Sequence, residues 1–391
     1  MKINSLKKIY LLALSAFFFG ACGGGGNGDG GGNPGPNPIF QAAVTYVTGA
    51  KPEAVTSGDF DGDGNQDIAV ANDVGDSVTI LLGDGDGPFS SSVTVPLAIA
   101  NSCPVAIARG NFLGDNIDDI AVVSFSTDKV SIINGDGNRN FIENNTFSVG
   151  SAPQGISVAD FDGKLGDDIA VVNFGEDTVS VLLGNDIGTF APQPKIQSEN
   201  FKGPFGITAG DFNSISNTLV DLAVVNQANN SVVNLIGSDT VRGSFTPSSS
   251  DPVGNSPSAI ASGDFDNDGK LDVVVANTQD IPDPTVSILW GDGNGSFSSP
   301  TKEFTMGKPF SVDTGDLDQD GNLDIAVANQ GDNSISILMG RGDRTFEPQK
   351  TFPTETAPSS VILRDFNKDG KLDMAVANSG SDTVSVFLNG L

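Results

Sequence analysis

The sequence predicts an all-β fold, a seven-bladed β-propeller of four-stranded blades, on three observations. A pattern of four positions recurs seven times along the chain. Each unit holds short β-branched and apolar runs between Gly/Asp/Asn turns. The last unit stops one strand short, and a strand of the missing kind precedes the first.

The pattern starts at Pro52, Pro104, Pro153, Pro204, Pro257, Pro309 and Pro358, at spacings of 49 to 53 residues. Seven residues after each stand Asp59, Asn111, Asp160, Asp211, Asp264, Asp316 and Asp365. A second acidic set follows, Asp67, Asp119, Asp168, Asp221, Asp272, Asp324 and Asp373. Five residues further come Asn72, Ser124, Asn173, Asn226, Asn277, Asn329 and Asn378. Units of about fifty residues and four strands have the size of a propeller blade.

The fifth unit shows the reading strand by strand. Ser258 to Gly263 is the first strand, and the apolar run Val273 to Ala276 is the second. Thr285 to Trp290 is the third, and the turn Gly291 to Phe297 leads to a fourth centred on Lys302 to Met306. No helical period occurs after the first 38 residues. The chain ends at Gly390-Leu391, after a third strand, whereas Phe40 to Gly49 reads as an orphan fourth strand. Pairing the two closes residues 39–391 into a ring with no open edge between first and last blades.

Four loops between first and second strands read Asp-x-Asp/Asn-x-Asp-Gly-x-x-Asp. They are Asp59-Asp61-Asp63-Gly64-Asp67, Asp264-Asp266-Asp268-Gly269-Asp272, Asp316-Asp318-Asp320-Gly321-Asp324 and Asp365-Asn367-Asp369-Gly370-Asp373. Alternating oxygen side chains in a tight loop converge, and hard oxygen donors without His or Cys select calcium. Backbone carbonyls of Asn65, Lys270, Asn322 and Lys371 are expected to complete the four shells. About four calcium ions follow. The loops of units two to four are degenerate. Leu113 enters the second, Lys164 replaces the third carboxylate of the third, and the fourth carries two extra residues before Asp221. No tight calcium is expected in these three.

The string Asp-Phe-Asp-x-Asp-Gly-x-x-Asp-Ile/Val/Leu-Ala-Val-Ala-Asn resembles the FG-GAP/VCBS repeat family, known from integrin α-subunit heads and some calcium-containing propeller lectins. The resemblance runs from Phe40 to Leu391 and is sharpest in units one, five, six and seven. It implies calcium in the hairpin between the first two strands of a blade, and a ligand surface on the opposite rim.

The N-terminus reads as an address. Residues 1–21 combine Lys2, Lys7 and Lys8 with an apolar run from Ile9 to Phe19, too short to span a bilayer. Phe19-Gly20-Ala21-Cys22 resembles the lipobox of bacterial lipoproteins, with Phe19 in place of the usual Leu, so Cys22 is the expected lipidation site. Residues 22–38, almost all Gly, Asn, Asp and Pro, form a tether that lacks apolar surface to offset ordering. Gly23 after the cysteine fits an outer-membrane or cell-surface destination.

With 20 basic and 49 acidic side chains the net charge is −29, which disfavours nucleic acid as a partner. Histidine is absent, removing the commonest general base and most nucleophile triads, so no catalytic residue is assigned and no enzyme activity is expected. Arg341-Gly342-Asp343, an integrin-recognition tripeptide by composition, falls in a recurrent turn. The expectation is a monomeric, exported, membrane-anchored scaffold for adhesion or binding to a protein or surface-polymer partner. A calcium-dependent, lectin-like glycan binder and a polysaccharide-degrading enzyme are the alternatives. Asp73, Phe174, Glu176, Gln227 and residues 281–284 mark the rim for partner contact, with the binding residues themselves unassigned.

Overall fold

A computed structural model describes residues 39–391 apart from 165, 215–219 and 281. The signal segment, Cys22 and the tether lie outside the described residues, as does Ile281. The chain divides into Met1–Pro38 and Ile39–Leu391. In the second unit the described residues form seven antiparallel sheets and no helix.

Blade one is typical. Its strands are Pro52–Gly58, Asp67–Asn72, Ser77–Gly83 and Phe89–Pro96, paired in sequence order from the axis outward. The second and third strands are buried along their whole length. Such strands are sandwiched between neighbouring blades on both faces, which explains why Asp67–Asn72 and its counterparts read as continuous apolar runs rather than alternating ones.

The prolines fix the axis. Each begins an innermost strand, and in all seven blades the register slips right after it, as between Pro52 and Ala54 or Pro309 and Ser311. Proline has no N–H for the ladder, and a bulge absorbs the gap. The bulged residues, among them Glu53, Phe205 and Phe310, line an axial cavity of about 350 Å³. Blades crowd there: a Cβ on Gly155 would lie 2.5 Å from the Phe205 carbonyl oxygen.

Closure follows the sequence reading. Val44–Val47 pairs antiparallel with Thr383–Phe387, Val44 opposite Val386, as the outer strand of blade seven. Two boundaries differ from expectation. The third strand of blade five ends at Leu289, leaving Trp290 in the turn, and its fourth runs Thr301–Phe304. The fourth strand of blade three is split into Ala191–Pro192 and Ile196–Gln197. Pro192 and Pro194 withhold the donors that a continuous strand needs.

Phenylalanines lock the seams between blades. In five blades the Phe after the first loop residue packs edge-on against one that leads into the fourth strand of the next blade. Centroid distances are 5.4 Å for Phe112–Phe190, 5.5 Å for Phe161–Phe245, 5.6 Å for Phe212–Phe297 and 5.7 Å for Phe366–Phe89. This pairing seats the strand three-to-four turn of each blade over the Asp loop of the blade before it. The main chain confirms the seating: Gly188, Gly243 and Gly295 donate to the carbonyls of Phe112, Phe161 and Phe212.

Candidate metal centres on one rim

All four complete loops share one hydrogen-bond scheme. The first Asp accepts from the glycine N–H five residues on: Gly64 to Asp59 at 2.8 Å, Gly269 to Asp264 at 2.9 Å, Gly321 to Asp316 at 3.0 Å and Gly370 to Asp365 at 2.9 Å. Those glycines have φ from 82° to 90° with open space around them, so conformation alone requires glycine there. The N–H groups of Asn65, Lys270, Asn322 and Lys371 donate to Asp63, Asp268, Asp320 and Asp369. The second positions Asp61, Asp266, Asp318 and Asn367 accept from the third residues, Asp63, Asp268, Asp320 and Asp369.

Carboxylate oxygens gather as a result. Asp59, Asp61 and Asp67 each place one within 4.8 Å of the others, as do Asp264, Asp266 and Asp272, and Asp316, Asp318 and Asp320. Two like charges at that distance repel by roughly 3–4 kcal/mol at an effective dielectric of about 20. In the first loop, Asp59 Oδ1 is buried with no hydrogen-bond partner. An all-oxygen donor set with an orphaned buried carboxylate oxygen fits a hard divalent cation. The clusters of loops one, five and six could therefore hold calcium, whereas among the described residues Asp365, Asp369 and Asp373 of the seventh loop do not converge in this way.

The last Asp of every loop does a second job. Asp67 accepts from Phe60 N–H at 2.9 Å with one oxygen and from Gly83 N–H at 2.8 Å with the other, tying its loop to the start of the outer turn. Asp119, Asp168, Asp221, Asp272, Asp324 and Asp373 are buried in the same way, and Asp168, Asp221, Asp272, Asp324 and Asp373 repeat both bonds. Both arms of this clamp persist in the third and fourth loops and one arm in the second, so the second Asp of the repeat keeps a structural role where the first-loop pattern fails.

Burial pushes these carboxyls up, to about 7 for Asp67, Asp119, Asp272 and Asp324 and to about 6 for Asp168, Asp221 and Asp373, with the backbone donors opposing the rise. A carboxyl raised in the native state binds more protons there than in the unfolded chain, so stability falls as pH climbs from about 4 to about 7. In chelator, the melting temperature is expected to be higher at about pH 5.5 than at about pH 8, and excess calcium should shrink the difference. Thermal scans at the two pH values check this; a higher calcium-free melting point at the alkaline value would contradict it.

The degenerate loops behave differently from one another. Asp160, Asp162 and Asp168 still converge, but Lys164 Nζ sits 2.5 Å from Asp162 Oδ2, as a cation of the chain's own. In the second loop Asn116 takes the left-handed position, φ 63°, that glycine holds in the complete loops. Part of the fourth loop lies outside the described residues. Sequence reading missed three arginines at this rim. Arg139 Nε donates to Asp61 at 2.9 Å, Arg344 Nε donates to Asp266 at 2.6 Å, and Arg242 donates to the Asp162 carbonyl at 3.1 Å. Each comes from the outer turn of the next blade. The available signal was an Arg at positions 139 and 344, where four other turns have Gly.

At the opposite rim the recurrent Asn residues are structural pins. Asn72 donates to Ser77 and Thr79, Asn173 to Thr178 and Ser180, and Asn329 to Ser334 and Ser336, all buried. A further repeat escaped the sequence reading. Asp76, Asp128, Asp177, Asn230, Asn333 and Asp382 have φ between 43° and 58° and accept a backbone N–H from the turn before the next blade's first strand. Of the residues marked for partner contact, Asp73 is buried against Lys51 at 2.5 Å. Glu176 is exposed and holds Lys195 at 2.7 Å. Phe174 meets Phe205 edge-on at 6.4 Å, and Phe205 meets Phe310 at 6.5 Å, a row of rings toward the axial mouth.

Fold and loops define a class: a closed seven-bladed propeller whose blades carry Asp-rich first hairpins. A family model described as "FG-GAP-like repeat" matches residues 59–108, 264–327 and 316–376. Those spans begin at the first Asp of blades one, five and six and extend into blade seven. Together with the seven-bladed ring, these matched spans support an FG-GAP-repeat β-propeller. No curated protein shows significant similarity to it. Among solved structures it is similar to BBS1N, crystallised in complex with ARL6DN and soaked with lead, at 13% identity and TM-score 0.62, covering 90% of this chain and 97% of that one. It is also similar to a protein from Lactobacillus plantarum at 15% identity and TM-score 0.58, covering 79% and 86% respectively. Both likenesses concern the fold.

Proposed function

We propose that this propeller is an exported, lipid-anchored and calcium-stabilised scaffold that binds a protein or surface-polymer partner through the rim opposite its Asp loops. The fold suggests a binding or scaffold role. The observation that carries the finer reading is the set of converging carboxylates in three of the four complete loops, which suits a compartment supplying calcium at about 0.1–1 mM, as outside cells. The absence of His and the use of the acidic side chains in loops and clamps support binding rather than catalysis. Residues 1–21, Cys22 and the tether supply the address and anchor in this reading.

Two experiments test it. Cys22→Ser is expected to abolish fatty-acid labelling and release the protein from membranes; unchanged labelling would remove the anchor from the proposal. Protein and glycan arrays with and without calcium should reveal a partner whose binding is lost on Phe174→Ala with the melting curve intact. Saturable turnover of a polysaccharide would replace the scaffold by an enzyme.

A further inference from the structure

Two of the four complete loops already hold a cation supplied by the chain, and two do not. Arg139 lies 2.9 Å from Asp61 and 3.7 Å from Asp63. Arg344 lies 2.6 Å from Asp266 and 3.9 Å from Asp268. The carboxylates they reach first are the secluded ones, with side chains 1% exposed at Asp61 and 6% at Asp266. Among the described residues no ion pair reaches Asp316, Asp318, Asp320, Asp365 or Asp369.

The two arginines occupy one position, two residues before Phe141 and Phe346. At that position the turns of blades one, three, four and five have Gly87, Gly188, Gly243 and Gly295, all at positive φ. Arg139 and Arg344 keep the same left-handed backbone, φ 65° and 70°, which disfavours any side chain. In both cases the guanidinium crosses the seam to the second ligand position of the preceding blade. Arg242, one residue earlier in the turn of blade four, reaches the blade-three loop, where Lys164 already pairs with Asp162. The loops thus form a graded series: two chain cations in the third, two in the fifth, where Lys270 Nζ also pairs with Asp268 at 3.1 Å, one in the first, and no ion pair in the sixth and seventh among the described residues.

Resting on the calcium reading above, we propose that Arg139 and Arg344 are built-in counter-cations that compete with calcium at loops one and five, so that calcium fills loops six and seven first. Calcium at Asp61 or Asp266 must either break a charge-assisted hydrogen bond to a buried carboxylate or tolerate a guanidinium beside it. Losing one such bond weakens binding by at least about tenfold. In return, the calcium-free ring keeps charge balance and a cross-seam contact between blades one and two and between five and six.

The test is calorimetric calcium titration of the mature full-length chain and of its Arg139→Gly/Arg344→Gly variant. Glycine is what four other blades place there, so the turn is retained. The wild type is expected to show two tight and two weaker sites at least about tenfold apart, and the variant four sites of similar affinity. Trp290, the only tryptophan in the sequence, lies under Arg344 with its ring centroid 5.2 Å from the guanidinium carbon. Terbium luminescence sensitised by Trp290 therefore reports on loop five. It should appear late in a wild-type titration and early in Arg344→Gly. Four equivalent sites in the wild type, or glycine variants with unchanged or weaker binding, would overturn the competition while leaving calcium binding in place. No metal uptake by any of these proteins would overturn both readings together.

Discussion

Chelating calcium is expected to lower the melting temperature of the ring by about 10 °C. A cation bound only to the folded state at tenfold excess over Kd adds about 1.4 kcal/mol per site, so four sites contribute about 5–6 kcal/mol. At about 2 °C per kcal/mol for a large domain, that gives the stated shift. Asp268→Ala isolates one site. Its carboxylate gathers donors from Lys270 N–H and Lys270 Nζ but stands beside Asp264 and Asp266 in the loop. In calcium the variant should lose one ion and its share of the stabilisation. In chelator it should melt close to the parent, because the repulsion it relieves offsets the bonds it loses. Elemental analysis finding no calcium, or superimposable curves with and without chelator, would defeat the argument.

The parts of this molecule that were legible in the sequence are those fixed within one blade. Pro52 to Asn72 and its six counterparts carry the first strand, the loop between first and second strands and the second strand within a single hairpin, so spacing alone reveals them. The parts that were not legible cross a seam. Arg139 acts on Asp61 and Arg344 on Asp266, each 78 residues away in sequence, and only the ring places one blade's outer turn over the previous blade's loop. The capping residues Asp76 to Asp382 were missed for the same reason. Each serves the following blade, and Asp382 does so across the closure, accepting from Lys51 N–H at 2.7 Å. The dual use of Asp67 was hidden differently. A metal ligand and a backbone clamp leave the same residue in the same place, and only the bonds to Phe60 and Gly83 separate the two roles.

Phe40→Ala is the substitution expected to cost the ring most. The strand that closes blade seven is short, and two of its four residues, Val44 and Val47, are at least half exposed. Its hydrogen bonds to Thr383–Phe387 provide register but little burial. The anchorage lies just ahead of it. Phe40 is 3% exposed, meets Phe352 of blade six at 5.4 Å and Phe387 of blade seven at 6.3 Å, and shares a core with Leu317, Met339 and Leu363. Ile39 is buried in the same cluster, and its carbonyl accepts from Gly390 N–H at 2.7 Å. Truncating a buried Phe costs about 3–5 kcal/mol, which for a domain of this size is a fall of about 6–10 °C in Tm. Phe304→Ala, on the outer strand of blade five and 62% exposed, is the matched control and should change little. Deleting residues 39–48 goes further, because it bares the edge of Thr383–Phe387 for pairing between molecules. That variant should aggregate on warming, whereas Phe40→Ala should melt early but remain monomeric. If Phe40→Ala melts no earlier than Phe304→Ala, the closing strand is not what holds the ring shut.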